Sequence, residues 1–408
     1  MNSNQVLFLH TNYPAQFRFI LKEYLALNWD VYFASHTQKN KPLSSINYIK
    51  LHSPKRKGSK IDHQQNISIA CFYNLLAEKR KGLNPRRIYV HTGWGLGQFL
   101  RDLFPNSKII AYNEWWFNLN SHDYQFDCTN QYINHTLENR LHSVLRNQSF
   151  SLELQRADAI VSPTLWQKKQ LPLSLQSKCH VIFDGIDCNM FTSGKPIIND
   201  KSLLSSLDKS KSILTYATRG LEPYRGFPEF VSASALFLKK NIDWQVVIAG
   251  KDHVNYFKSK NAPTEGFGAF ALEQYKEANV SDRVKLLGTL PFIEYRNLLQ
   301  LSDLHCYFTR PFVLSWSLLE SALVGCPLFA SKTSPVIEFL NNDKYTNFVD
   351  HTMDSELLAE ELNGAALKVK RSYPSKDTIS KYRMNNLLNR VERSTCISKH
   401  MKLADSID

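Results

Sequence analysis

The sequence predicts an α/β protein built from two doubly wound, Rossmann-like domains with a ligand crevice between them. Three observations predict this. The chain has 408 residues, more than one hydrophobic core ordinarily serves, so two domains of roughly 200 residues each are expected. Short apolar runs alternate with longer amphipathic ones, the pattern of buried parallel strands joined by helices. The alternation stops once, after Phe191, and then restarts.

In chain order, residues 6–9 (Val-Leu-Phe-Leu) read as a first strand, followed by a helix over 14–27 and a strand over 31–34. Apolar runs at 88–90, 108–112, 159–161 and 181–183 continue the strand series, with helical periodicity over 63–79 and 132–155. Residues 192–212 are rich in Ser, Lys and Asp and contain Gly194 and Pro196, a linker composition with room for one short helix. Strands then recur at 213–217, 244–249, 284–287, 304–308 and 327–330, and helices at 228–239, 272–278, 291–301 and 315–324. From about Ser375 the chain reads as a basic helical tail. The expected domains are therefore 1–195, 196–375 and a tail over 376–408 that packs back toward the N-terminal domain.

Composition narrows the function classes. Lys and Arg number 50 against 37 Asp and Glu, a formal charge of +13, which suits anionic partners or simply a solvated lysine-rich surface. The seven cysteines are scattered, without metal-ligand spacing, and read as buried thiols of a reducing compartment. No apolar run approaches the ~18 residues of a membrane span, and the short apolar run 6–9 is no signal peptide. A cytoplasmic protein is the expectation. Nucleic-acid binding is not expected, because no zinc, helix-turn-helix or RNP-like pattern accompanies the charge.

Two segments carry candidate chemistry in the C-terminal half. The loop Thr218-Arg-Gly-Leu-Glu-Pro-Tyr-Arg-Gly226 follows a strand, where open α/β sheets face their ligands. Its Arg219 and Arg225 could hold phosphate oxygens through charge-assisted, forked hydrogen bonds, or could be surface residues on a turn. The segment Thr309-Arg-Pro-Phe-Val-Leu-Ser-Trp-Ser-Leu-Leu-Glu320 also follows a strand. There Ser315, Trp316 and Ser317 open a helix whose free N–H groups favour an anion, and Arg310 adds a cation. Glu320 could accept hydrogen bonds from ribose hydroxyls. Equally, Ser317-Leu-Leu-Glu320 is a capping box in which the carboxylate only satisfies a backbone N–H.

These segments, with Val246-Val-Ile-Ala-Gly250 and 284–288, resemble those of the family 4 (group 1) retaining glycosyltransferases in order and spacing. In the N-terminal half Ala157-Asp-Ala-Ile-Val-Ser-Pro-Thr164 and Val181-Ile-Phe-Asp-Gly-Ile-Asp187, followed by Phe191, are similar to two further motifs of that family. The resemblance covers about residues 5 to 350 and implies the GT-B fold. It implies that Arg219 and Arg225 hold the diphosphate of a nucleotide-sugar, that Gly250 belongs to the donor site, and that Glu320, the second Glu of the E-x7-E motif, binds the ribose. Phe312 stands where the first Glu of that motif stands in the family, so sugar recognition must differ. By the same resemblance no metal ion or other cofactor is expected, the nucleotide-sugar being a co-substrate, and the acceptor is a glycan or a lipid-linked glycan in bacterial surface polysaccharide assembly.

The acceptor is expected on the N-terminal domain, whose strand ends carry Tyr13, His91, Trp94, Glu114 and Trp115. Indole faces suit pyranose C–H faces. Glu114 could accept the acceptor's proton or merely order its own loop, and His91 is as readily a packed loop histidine. The basic stretches 55–60, 368–371 and 376–393 could bring the protein to an anionic membrane surface. Two other readings remain at this stage: a nucleotide-sugar 2-epimerase, and a non-catalytic nucleotide-sugar-binding protein suggested by Phe312.

Overall fold

A computed structural model describes residues 4–38, 41–56, 58–256 and 261–408. The chain forms two compact units. The first comprises Met1–Ser121, Leu137–Gly185 and Arg390–Asp408; the second comprises His122–Thr136 and Ile186–Asn389. The division thus falls after Gly185 rather than at 195, and the segment 122–136 folds with the second unit.

In the first unit β1 (Gln5–Leu9), β2 (Asp30–Ser35), β3 (Asn47–Lys50), β4 (Arg87–His91), β5 (Lys108–Tyr112), β6 (Ala159–Ser162) and β7 (Cys179–Val181) form one sheet. Its order is β3-β2-β1-β4-β5-β6-β7 and every pair is parallel. Val6, Leu7, Phe8 and Leu9 are all fully buried. A central parallel strand is covered on both faces, which is why it reads as an unbroken apolar run. Strand β3 escaped sequence reading because it is an edge strand with Asn47 and Lys50 exposed. The expected helix over 14–27 begins as a 3-10 turn, Ala15–Arg18, before α1 (Ile20–Ala26). Helix α2 (Lys60–Arg80) starts at a capping box: Ser59 Oγ accepts the Asp62 N–H, and the Ser59 N–H donates to Asp62 Oδ2. The long helix expected over 132–155 is two, α3 (Leu137–Leu145) and α4 (Asn147–Arg156).

The second unit repeats the plan. Strands β8 (Ser212–Gly220), β9 (Trp244–Lys251), β10 (Val284–Leu286), β11 (Leu304–Tyr307), β12 (Leu328–Ser331) and β13 (Thr346–Val349) run parallel in the order β10-β9-β8-β11-β12-β13. Strand order reverses between β8 and β11, and between β1 and β4 in the first unit. These switch points are where such sheets leave a crevice beyond the carboxyl ends of their strands. Helices α5 (Phe227–Lys240), α6 (Phe267–Glu277), α7 (Phe292–Leu301), α8 (Trp316–Val324), α9 (Ser334–Leu340) and α10 (Ser355–Ser372) fill the connections. Buried Leu214, Val246, Ile248, Leu304, Phe230 and Phe329 belong to its core.

The tail is not one element. α11 (Lys376–Val391) belongs almost wholly to the second unit and α12 (Arg393–Ile407) to the first. The break is made by Glu392, whose carboxylate caps α12 by accepting the Thr395 N–H. In α11 the buried Arg383 donates to Asp343 and to the carbonyls of Ala322 and Cys326 at the end of α8, where a cation complements the helix dipole. In α12 Leu403 and Ala404 join the first core, and Asp405 and Asp408 take the buried guanidinium of Arg87. Two cations of the basic tail, Arg383 and the half-buried Lys376, which donates to the Gln300 carbonyl, are therefore engaged internally. Of the basic loop 55–60, Lys57 lies outside the described residues. All seven cysteines are unpaired and six are buried; Cys128 is exposed, against expectation. Among the described residues no helix is long and apolar enough to cross a membrane.

Candidate functional site

In the second unit three strand-end loops are knitted together. After β8 the chain makes a 3-10 turn, Pro223–Arg225. Gly226 follows with φ +63°, and a Cβ there would lie 2.6 Å from the Cβ of Phe308. Only glycine fits that left-handed, crowded start to α5. The turn is pinned by Tyr216, whose hydroxyl donates to the Arg225 carbonyl at 2.7 Å. It is pinned again by the Arg310 N–H, which donates to the Tyr224 carbonyl at 3.2 Å.

Arg225 is buried. Its Nη1 donates to Thr309 Oγ1 at 2.6 Å and to the Val313 carbonyl at 3.1 Å, and its guanidinium lies 5.6 Å from the Tyr256 ring centre. It therefore bridges the ends of β8 and β11. Arg219, at the end of β8, is exposed. The loop after β9 is held by Glu222, which accepts the N–H groups of Asn255 at 2.7 Å and Tyr256 at 2.9 Å. Burial raises the Glu222 carboxyl above its ordinary range. At Gly250 a Cβ would sit 2.7 Å from the Thr218 carbonyl oxygen, so the glycine lets β9 approach β8 closely at this strand end.

Helix α8 bears on the capping-box reading of Glu320. The cap is Ser315, whose Oγ accepts the Ser317 N–H, so Ser317 does not cap and Glu320 is the fifth helical residue, with no acid in the first turn. The capping-box reading falls. Glu320 is buried and faces Tyr295, whose hydroxyl is pushed well above its usual pKa by burial and then by this carboxylate. Ser315 also donates its N–H to Tyr307 Oη at 3.0 Å, and Trp316 beside it is half-buried.

Arg310 has a different place from the one expected. It is 1% exposed, its Nε donates to the Asp123 carbonyl at 2.9 Å, and its guanidinium lies 5.3 Å from the Phe126 ring centre. Desolvation lowers its pKa. It braces the segment 122–136. Phe312 is buried too, packed edge-on against Tyr224 at 5.3 Å and Tyr256 at 5.2 Å. An aromatic cluster thus occupies the position where the resemblance led one to expect a carboxylate.

The first unit brings a second group together at the ends of β1, β4 and β5. His91 is buried; its Nδ1 sits 2.8 Å from the Thr92 carbonyl, so Nδ1 carries the proton and Nε2 is a lone pair. That Nε2 lies 3.9 Å from Glu114 Oε2, so two acceptors stand side by side, either of which could take a hydroxyl's single proton. Trp94 lies against His91 with ring centres 4.5 Å apart and is half-buried. His10, which sequence reasoning missed, meets His91 edge-on at 4.7 Å; it takes the Asn12 N–H on Nδ1 at 2.9 Å, which leaves its proton on Nε2. Burial lowers His10 to about 4 and holds His91 well below its ordinary value, so both are neutral at physiological pH. His10 ends an apolar strand run, the one sequence signal that could have flagged it. Tyr13 and Trp115, expected as acceptor platforms, are 5% and 6% exposed. Tyr13 packs edge-on against Phe33, so both aromatic rings are core.

Two family descriptions match this chain: Glycosyl transferase family 4 group over residues 28–191, and Glycosyl transferases group 1 over residues 203–372. Among solved structures, a glycosyltransferase from Rickettsia africae aligns over 100% of this chain and 99% of its own at 14% identity, with a TM-score of 0.71. Sucrose-phosphate synthase from Thermosynechococcus elongatus aligns over 99% and 98% at 14% identity and a TM-score of 0.71. Anabaena HepE in complex with UDP aligns over 98% and 100% at 12% identity and a TM-score of 0.66. At such identities the likeness is one of fold. No curated protein sequence matches the chain. With both halves matched by group models of one family and both sheets wound in the Rossmann order, the chain belongs to the family 4, group 1 glycosyltransferases and has the GT-B fold.

Proposed function

We propose that the protein transfers a sugar, with retention of anomeric configuration, from a nucleotide-sugar to a glycan or lipid-linked acceptor in surface polysaccharide assembly. The observation that carries this reading is Arg225, a buried guanidinium tied across the ends of β8 and β11 where the strand order reverses. The exposed Arg219 stands on the same loop. A departing nucleoside diphosphate gains negative charge in the transition state, and fixed cations stabilise that charge without reorganising. The start of α8 adds oriented N–H groups, so the donor site makes no call on a metal ion. Glu320 is the ribose ligand in this reading.

In the first unit Glu114 and His91 receive the acceptor hydroxyl, and Trp94 offers its indole to a pyranose. Anabaena HepE is found with UDP and with UDP-glucose, which supports UDP-sugars as the first donors to try. Contact with an anionic membrane surface would draw on the exposed Lys368 and Arg371 rather than on Arg383 or Lys376. The test of the whole is a thermal-shift screen against UDP-, GDP-, ADP- and dTDP-sugars. A donor at about 100 times its Kd stabilises the fold by ~2.7 kcal/mol, and failure of every nucleotide to raise Tm would sink the reading.

A further inference from the structure

The segment 122–136 lies between β5 and β6 in sequence, yet it folds with the second unit. Its attachments there are specific. Asp123 is 1% exposed, and its Oδ2 accepts the Tyr224 hydroxyl at 2.6 Å. Its carbonyl accepts Arg310 Nε. Asn130 donates to Glu229 Oε1 in the first turn of α5 at 2.8 Å, and Tyr132 packs edge-on against Phe267 at 5.3 Å. The segment is thus fastened to the turn that carries Arg225, to the loop after β11 and to the start of α5.

Tyr224 is the centre of this arrangement. It precedes Arg225 in the 3-10 turn, and its ring contacts both Tyr256 and Phe312, at 5.4 and 5.3 Å. Of these, Tyr256 is the ring over which the Arg225 guanidinium lies. The Tyr224 hydroxyl donates to Asp123. A guanidinium recognises a diphosphate by two-point geometry, which an ångström of slack defeats.

We infer that Asp123 is a positioning residue for donor binding: through Tyr224 it fixes the turn that holds Arg225, so that a residue from the N-terminal half of the sequence sets the affinity of the C-terminal unit for a nucleoside diphosphate. The inference rests on the donor reading above. It assigns no contact between Asp123 and the ligand.

The experiment is calorimetric titration of the full chain with UDP, GDP and ADP, and thermal unfolding without ligand in parallel. The variants are Tyr224→Phe, Asp123→Asn, Asp123→Ala and the double variant Asp123→Ala/Tyr224→Phe. Tyr224→Phe and Asp123→Ala should each weaken the diphosphate that the wild type binds by about five- to tenfold, and the double variant should be no weaker than Asp123→Ala, because the two act through one bond. Asp123→Asn keeps an acceptor oxygen and should retain most of the affinity. Should Asp123→Ala not fold, Tyr224→Phe against Asp123→Asn carries the same comparison, since it deletes only a hydroxyl. Affinities equal to wild type with only Tm lowered, or additive losses in the double variant, overturn the inference while leaving the donor reading in place. A wild type that binds none of the three diphosphates removes both.

Discussion

Glu153 offers a prediction that can be worked from the structure. It sits in α4 of the first unit, 2% exposed. Its Oε1 accepts the Gly97 N–H at 3.0 Å, while Oε2 has no hydrogen-bond partner among the described residues. Burial raises its pKa from 4.5 to about 8, with the Gly97 N–H opposing. The folded state therefore holds a proton that the unfolded state releases, so stability from this group is full below pH 4.5 and is lost as pH rises toward 8. With a pKa of 4.5 unfolded and about 8 folded, the cost of ionisation is about 1 kcal/mol at pH 5 and about 4 kcal/mol at pH 8. Glu153→Gln keeps the acceptor for Gly97 and removes the charge. Its stability relative to wild type should therefore improve by about 3 kcal/mol between pH 5 and pH 8. Urea denaturation followed by tryptophan fluorescence at the two pH values measures this. A variant whose offset from wild type is the same at both pH values would show that Glu153 is ionised in the fold and that the argument is wrong.

Three further outcomes are expected. Arg310→Ala should destabilise the protein by about 3 to 5 kcal/mol, because it strips a buried cation from the Asp123 carbonyl and from Asp127, whose carboxylate lies 4.0 Å away; unchanged denaturation with a selective loss of donor affinity would point to a ligand role instead. Glu320→Gln should leave stability within about 1 kcal/mol, since the residue caps nothing, and weaken nucleotide binding about tenfold (~1.4 kcal/mol); titration calorimetry beside a melt separates the two. Gly226→Ala should cost about 1 to 3 kcal/mol through its left-handed backbone and the contact with Phe308, and a variant as stable as wild type in urea would mean the turn relaxes freely.

The fold was legible wherever burial wrote itself into composition. Strands β1, β8 and β9 are covered on both faces along most of their length, and their buried residues are mostly apolar. At two edges the signal fails: Asn47-Tyr-Ile-Lys50 and Thr346-Asn-Phe-Val349 close opposite ends of the two sheets, and neither reads as a strand, although the edge strand Val284–Leu286 does. Helical periodicity over 132–155 was real but incomplete. Residues 122–136 satisfy Tyr224, Glu229 and Arg310 instead of continuing a helix, and no local pattern announces a partner a hundred residues away.

The same limit explains the candidate site. Arg225 and Arg310 look alike in sequence, each a cation just beyond a strand of one sheet. What separates them is the partner each meets. Arg225 meets Thr309 and Val313 from the neighbouring strand end, bonds that fix its position at the switch point. Arg310 meets the Asp123 carbonyl, 187 residues away, and its guanidinium lies between Phe126 and Tyr224. Charge at a strand end is therefore only the first sign of an anion site in such a sheet, and the long-range contacts show what each of two such charges is tied to.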